Sequence, residues 1–111
     1  MYLTIIDYGS GNLRSVENAF SNAITDNNLK CKIRVTSDIH IIANSDLLVL
    51  PGVGSFPDCK KGLQNIEGLV DVLSEQVLIK KKKFLGICVG MQLMFDYSLE
   101  KTRTSGFGWL I

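Results

Sequence analysis

The chain has 111 residues, 46% hydrophobic and 21% charged, with a formal net charge of +1. That length holds one domain with a core, and the composition excludes an intrinsically disordered chain. A near-neutral charge gives no long-range electrostatic case for nucleic acid or an anionic membrane, and no apolar run reaches the length of a membrane span.

In chain order, Tyr2-Leu3-Thr4-Ile5-Ile6 is short, apolar and β-branched, and predicts a buried strand that stops at Asp7-Tyr8-Gly9-Ser10-Gly11. From Asn12 to Ala23, the residues Leu13, Val16, Ala19, Phe20 and Ala23 share one face at helical spacing. Asp26-Asn27-Asn28 closes that helix, and Cys31 to Thr36 alternates as a second strand. Asp46 to Leu50 is a third strand, stopped by Pro51-Gly52-Val53-Gly54. Leu69, Val70, Val72, Leu73, Val77 and Leu78 predict a helix ahead of Lys80-Lys81-Lys82-Lys83. Those lysines complement the helix dipole and are expected to stay solvated. Phe84 to Ile87 is a fourth strand, and Val89 to Tyr97 a helix. Phe107-Gly108-Trp109-Leu110-Ile111 reads as the start of a further strand or hairpin, as though the chain stops inside a larger domain.

Strands alternating with helices predict an α/β fold with an open, doubly wound, mostly parallel sheet. Ligands of such sheets bind outside the carboxyl ends of the strands. Three turns belong there: Gly9-Ser10-Gly11, Pro51-Gly52-Val53-Gly54 and Gly86-Ile87-Cys88-Val89-Gly90. They are expected on one edge of the sheet.

The third turn carries a reactive thiol. Gly-x-Cys-x-Gly between an apolar strand and an apolar helix is the thiol form of a nucleophile elbow. The glycines relieve crowding at the corner, and the field at the start of the following helix favours thiolate over thiol. A cysteine attacking an amide also needs a home for the oxyanion and an acid for the leaving amine. The readable oxyanion donors are the backbone N–H of Val89 and one N–H from the Gly52-Val53-Gly54 turn. The competing reading of Cys88 is a buried structural thiol, since free cysteine commonly packs as a small hydrophobe.

The single histidine, His40, is flanked by Ile39, Ile41 and Ile42 and is taken as a surface or half-buried structural residue, not as the base. Cys31 and Cys59 are read as incidental thiols. Three cysteines without a CxxC pair fit reduced thiols better than a disulfide framework or a zinc site. Met1 leads straight into a strand without a signal peptide, so a cytoplasmic location is expected. Gly9-Ser10-Gly11-Asn12 before a helix lacks the third glycine of a dinucleotide fingerprint and the Gly-Lys-Ser/Thr of a P-loop, which leaves the phosphate signal weak.

Leu85-Gly86-Ile87-Cys88-Val89-Gly90-Met91-Gln92-Leu93-Met94-Phe95 resembles the elbow of the class I glutamine amidotransferases, and Pro51-Gly52-Val53-Gly54-Ser55-Phe56 resembles their oxyanion strand. Ile6-Asp7-Tyr8-Gly9-Ser10-Gly11-Asn12-Leu13-Arg14-Ser15-Val16 is similar to the opening of the glutaminase subunits of imidazole glycerol phosphate synthases. The resemblance covers essentially the whole chain in order. It implies a flavodoxin-like amidotransferase domain of which residues 1–111 are the N-terminal part, ending after the elbow helix.

The resemblance further implies that Cys88 forms a thioester with L-glutamine and that Val53 and Val89 supply the oxyanion amides. It implies that Gly52, Gly54 and Gln92 hold the substrate and that Asn12 lies near a cyclase partner. That partner is a (β/α)8 barrel using the ammonia to make imidazole glycerol phosphate and AICAR in histidine biosynthesis. Without the resemblance, Gln92 reads as a solvated first-turn helix residue and Asn12 as a helix N-cap. No cofactor and no metal are implied. The family takes its catalytic histidine and glutamate from a later part of the domain, so residues 1–111 are expected to turn over glutamine weakly or not at all. Two other readings stay open: a glutaminase serving another synthase, and a non-catalytic partner-binding module.

Overall fold

The computed structural model describes residues 1–9, 13–52 and 55–87, and the backbone alone at 97–98 and 104–105. Strands β1 (Tyr2–Ile6), β2 (Lys32–Thr36), β3 (Leu47–Leu50) and β4 (Lys83–Gly86) form a parallel sheet in the order β2-β1-β3-β4. Helix α1 (Leu13–Asp26) joins β1 to β2, and α2 (Ile39–Ala43) joins β2 to β3. Between β3 and β4 lie α3 (Phe56–Gln64) and α4 (Leu69–Ser74), the latter running on into a wide π-helical turn, Glu75–Ile79. A short antiparallel pair follows, β5 (Tyr97–Ser98) with β6 (Thr104–Ser105).

The inner strands explain their own composition. Residues Leu3 to Ile6 of β1 and Leu48 to Leu50 of β3 are buried, because helices cover both faces of a doubly wound sheet and an apolar run replaces alternation. Leu3, Ile5 and Val49 face one side, where Leu13, Val16 and Phe20 of α1 pack on them. Ile6, Leu48 and Leu50 face the other, against Ile42 of α2, Leu63 of α3 and Leu69 and Leu73 of α4. Among the described residues no helix is long and apolar enough to cross a membrane.

Strands β1 to β4 lie within one residue of their expected bounds, the β5–β6 pair was not foreseen, and the predicted parallel α/β sheet is present. Other expectations are corrected. Helices α2 and α3 were not foreseen. The helix expected through Leu78 leaves α-geometry at Glu75. Of the four lysines, Lys80, Lys81 and Lys83 are exposed as expected, and Lys82 departs from the run. Lys80 caps the π-helical turn, Lys81 has φ +52°, and Lys83 opens β4. Lys82 is partly buried, and its Nζ donates to the Ala43 carbonyl. The helix expected over Val89–Tyr97 does not reach Tyr97, which pairs with Ser105 in β5; residues 88–96 and Phe107–Ile111 lie outside the described residues.

Candidate active site

Parallel pairing sends the carboxyl ends of β1, β3 and β4 to one edge of the sheet. The chain goes from β1 outward to β2, then returns past β1 to form β3. The strand order therefore reverses between β1 and β3, where open α/β sheets bind their ligands. The described starts of all three predicted turns, Asp7–Gly9, Pro51–Gly52 and Ile87, are at this edge.

The exit of β1 is held from two sides. The Asp7 N–H donates to the Thr36 carbonyl at 3.0 Å, tying the end of β1 to the end of β2. Asp7 Oδ1 accepts from the Gly9 N–H at 3.4 Å, and Gly9 adopts φ +87°, a left-handed conformation that suits a residue without Cβ. Between them Tyr8 turns inward and is 5% exposed. Its hydroxyl donates to the Pro51 carbonyl, joining the exits of β1 and β3. Its ring belongs to the core cluster that holds Ile6, Leu50, Cys59 and Leu63.

The exit of β3 leads through Pro51 and Gly52, both buried, to α3. The Ser55 hydroxyl caps that helix by accepting from the Asp58 N–H at 3.3 Å. Pro57 stands in the first turn, where a missing N–H breaks no helical hydrogen bond. One turn further on, α3 passes close to Tyr8. A Cβ at Gly62 would fall 3.0 Å from the Tyr8 carbonyl oxygen and 3.2 Å from its ring, so glycine is what permits the approach.

Of the site residues expected from sequence, Gly52 is at this edge. Asn12, Val53, Gly54, Cys88, Val89 and Gln92 lie outside the described residues, Cys88 being the residue that follows Ile87 in the chain. His40 is exposed on α2, where Asp38 caps the helix by accepting from the N–H groups of His40 at 2.8 Å and Ile41 at 3.3 Å. Helix α2 packs through Ile42 into the core with Leu48 and Leu50, and leaves His40 exposed. That placement agrees with a surface histidine. Cys59 is enclosed in the core at 1% exposure, and Cys31 is half-buried ahead of β2 at the opposite edge. Tyr8 was read from sequence only as a turn residue. No local signal marks its bond to Pro51, because the two are 43 residues apart.

A family model described as glutamine amidotransferase class-I matches residues 4–108. The chain belongs to this family. The match takes in all three glycine-containing turns of the sequence. Among individual proteins, the chain is 50% identical over 110 residues to the imidazole glycerol phosphate synthase subunit HisH of Brucella suis biovar 1, covering 99% of this chain and 51% of that protein. It is 47% identical to the subunit of the same name from Rhodospirillum rubrum and 48% identical to that from Pelagibacter ubique, with the same coverage. The chain thus spans about half the length of the curated relatives it matches. The parallel α/β sheet and its switch point accord with membership of the class I amidotransferases.

Proposed function

We propose that residues 1–111 are the N-terminal part of a single cytoplasmic glutaminase domain that hydrolyses L-glutamine and passes ammonia to a cyclase. The observation that carries this reading is the parallel register of β3 and β4. It delivers the segment entering Pro51-Gly52-Val53-Gly54 and the segment entering Cys88 side by side to one sheet edge. A thiol beside a glycine-rich turn is the arrangement that acyl transfer from an amide calls for.

In this reading the Cys88 thiolate attacks the side-chain amide carbon of glutamine. A C–S bond forms, and the carbonyl π pair moves onto oxygen, where the Val53 and Val89 amides stabilise it. Gly52, Gly54 and Gln92 hold the substrate. Collapse of the adduct breaks the C–N bond, and the nitrogen takes a proton from an acid and leaves as ammonia. Water then adds to the thioester, the C–S bond breaks, and glutamate departs with the thiolate restored.

In this reading the acid comes from the later part of the domain, as the resemblance implies, and His40, exposed on α2, is not assigned to that role. Without it, Cys88 is a nucleophile lacking its base, and most of the catalysis is lost. Three relatives carry the name of an imidazole glycerol phosphate synthase subunit, which supports another subunit of such a synthase as the partner; in this reading that partner is a (β/α)8-barrel cyclase, with Asn12 near the contact.

The test combines the chain with the C-terminal half of the Brucella suis relative and a cyclase subunit. Glutamine-dependent ammonia release should appear in the combination, remain weak with the 111 residues alone, and fall by roughly a thousandfold or more in Cys88→Ala. Ammonia release that is indifferent to Cys88→Ala would sink the glutaminase reading.

A further inference from the structure

The amino ends of the parallel strands share the other edge of the sheet. Asp46 precedes β3, Lys81 and Lys82 precede β4, and Lys83 opens it. Pairing of Leu3 with Leu47, and of Leu47 with Lys83, sets the starts of β1, β3 and β4 side by side. An open cavity of about 590 Å³ lies there, lined by Met1, Asp46, Lys81, Lys82 and Lys83. That volume is in the range of small-molecule sites.

The lysines of this lining are placed, not merely solvated. Lys81 has φ +52°, at the position after the cap of the π-helical turn, where glycine or asparagine takes up the left-handed conformation with less strain. The chain sets a charged side chain there at the expense of backbone strain. Lys82 is held at both ends. Its backbone N–H donates to the Gln76 carbonyl at 3.0 Å, and its Nζ donates to the Ala43 carbonyl. An ammonium has three N–H donors, so two remain. Asp46, the carboxylate in the lining, is engaged by the backbone, its Oδ2 accepting from the Tyr2 N–H at 2.7 Å. Burial disfavours the Lys82 ammonium, and the neighbouring charge of Lys80 disfavours it further, with Asp46 opposing. The fold thus gathers cations that repel one another, and a bound anion offsets that repulsion.

We propose that this amino-edge cavity binds a small phosphate compound carrying two or more negative charges. Lysines hold phosphate as point charges, and the turn presents Lys81, Lys82 and Lys83 together. A phosphate group brings up to about two negative charges and three strong acceptor oxygens, more than a carboxylate offers the same ammonium groups. The site is local, so it needs no net charge on the chain as a whole.

The experiment titrates the ¹³C-labelled 111-residue chain with inorganic pyrophosphate at fixed ionic strength, because exposed charges are screened by salt. NMR of the lysine ε-carbons should show saturable shifts at Lys81, Lys82 and Lys83, and none at Lys61 of α3. Lys82→Met keeps most of the aliphatic stem and removes the ammonium. It should weaken binding about 10- to 100-fold, the scale of one hydrogen bond to a charged group. Lys81→Gly suits the left-handed backbone and removes only the side chain. It should remain folded by circular dichroism and bind about tenfold more weakly. Lys61→Met, which removes a charge elsewhere, should bind like the unaltered chain. Absence of saturable shifts would overturn the proposal, as would unchanged affinity in both Lys81→Gly and Lys82→Met. Equal weakening by Lys61→Met would reduce the effect to overall charge and overturn it too. Sulfate binding as tightly as pyrophosphate would overturn the assignment to phosphate.

Discussion

Ile87 donates its backbone N–H to the Leu50 carbonyl at 3.0 Å, one step beyond the Leu50–Gly86 pair that closes the β3–β4 ladder. The next residue of the β3 segment is Pro51, which has no N–H to continue the pattern. The ladder therefore ends at a defined point, with the two segments in register. Beyond it, one leads into a glycine-rich turn and the other into Gly-x-Cys-x-Gly.

The elbow reading requires Cys88 to be an activated thiol. Cys59 is 1% exposed and cannot meet a reagent without opening of the core, and Cys31 is half-buried. Pulse labelling with iodoacetamide across a pH series should modify Cys88 first, about tenfold or more ahead of the other two below the ordinary thiol range. Equal, slow labelling of all three would count against activation.

A buried hydroxyl pair offers a test of the fold. Thr4 of β1 is 0% exposed, and its hydroxyl pairs with that of Ser45, which donates onward to the Ile41 carbonyl at 2.8 Å. Ser45→Ala would strand the Thr4 hydroxyl in the core at a cost of about 1–3 kcal/mol. Thr4→Val removes that hydroxyl along with its need for a partner, and should destabilise less. Urea denaturation of the two variants ranks them, and the reverse order would show that Thr4 does not depend on Ser45.

Lys82 gives a pH dependence. Burial lowers its pKa below the ordinary lysine value, the neighbouring charge of Lys80 lowers it further, and Asp46 acts in the opposite sense. The folded state thus disfavours the ammonium, and between the folded and unfolded pKa the unfolded chain binds more protons. The contribution of Lys82 to stability accordingly rises as pH climbs through the folded pKa towards the ordinary lysine value. Asp46→Asn should deepen the shift. A ¹³C NMR titration of the lysine ε-carbons should find Lys82 deprotonating ahead of an unstructured lysine peptide, and coincidence of the two would refute the assignment.

Much of the frame was legible because its cause is local. Leu47-Leu48-Val49-Leu50 and Tyr2 to Ile6 are apolar runs bounded by turn residues, as strands buried on both faces must be. Helix α1 showed the 3.6-residue spacing of its inward side chains. Helix α2 did not, since five residues are too few to display a period. Among the described side chains of α3, Cys59 and Leu63 are the buried ones, set among Lys60, Lys61, Gly62 and Gln64, so the apolar stripe they show is one turn long. Lys82 departs from the exposed lysine run for a related reason. Four identical residues look alike in sequence, while a turn entering a strand gives each a different surrounding.

By itself the sequence determined the class of fold, the family, and the candidacy of Cys88 and its glycine turns, because periodicity and short motifs are properties of neighbouring residues. Tertiary structure alone decided that β1 lies between β2 and β3, that Lys82 reaches the Ala43 carbonyl, and that Tyr8 bonds to Pro51 across 43 positions. Those contacts follow from strand order and helix placement, which are settled by burying both faces of one sheet at once. No local propensity encodes that outcome.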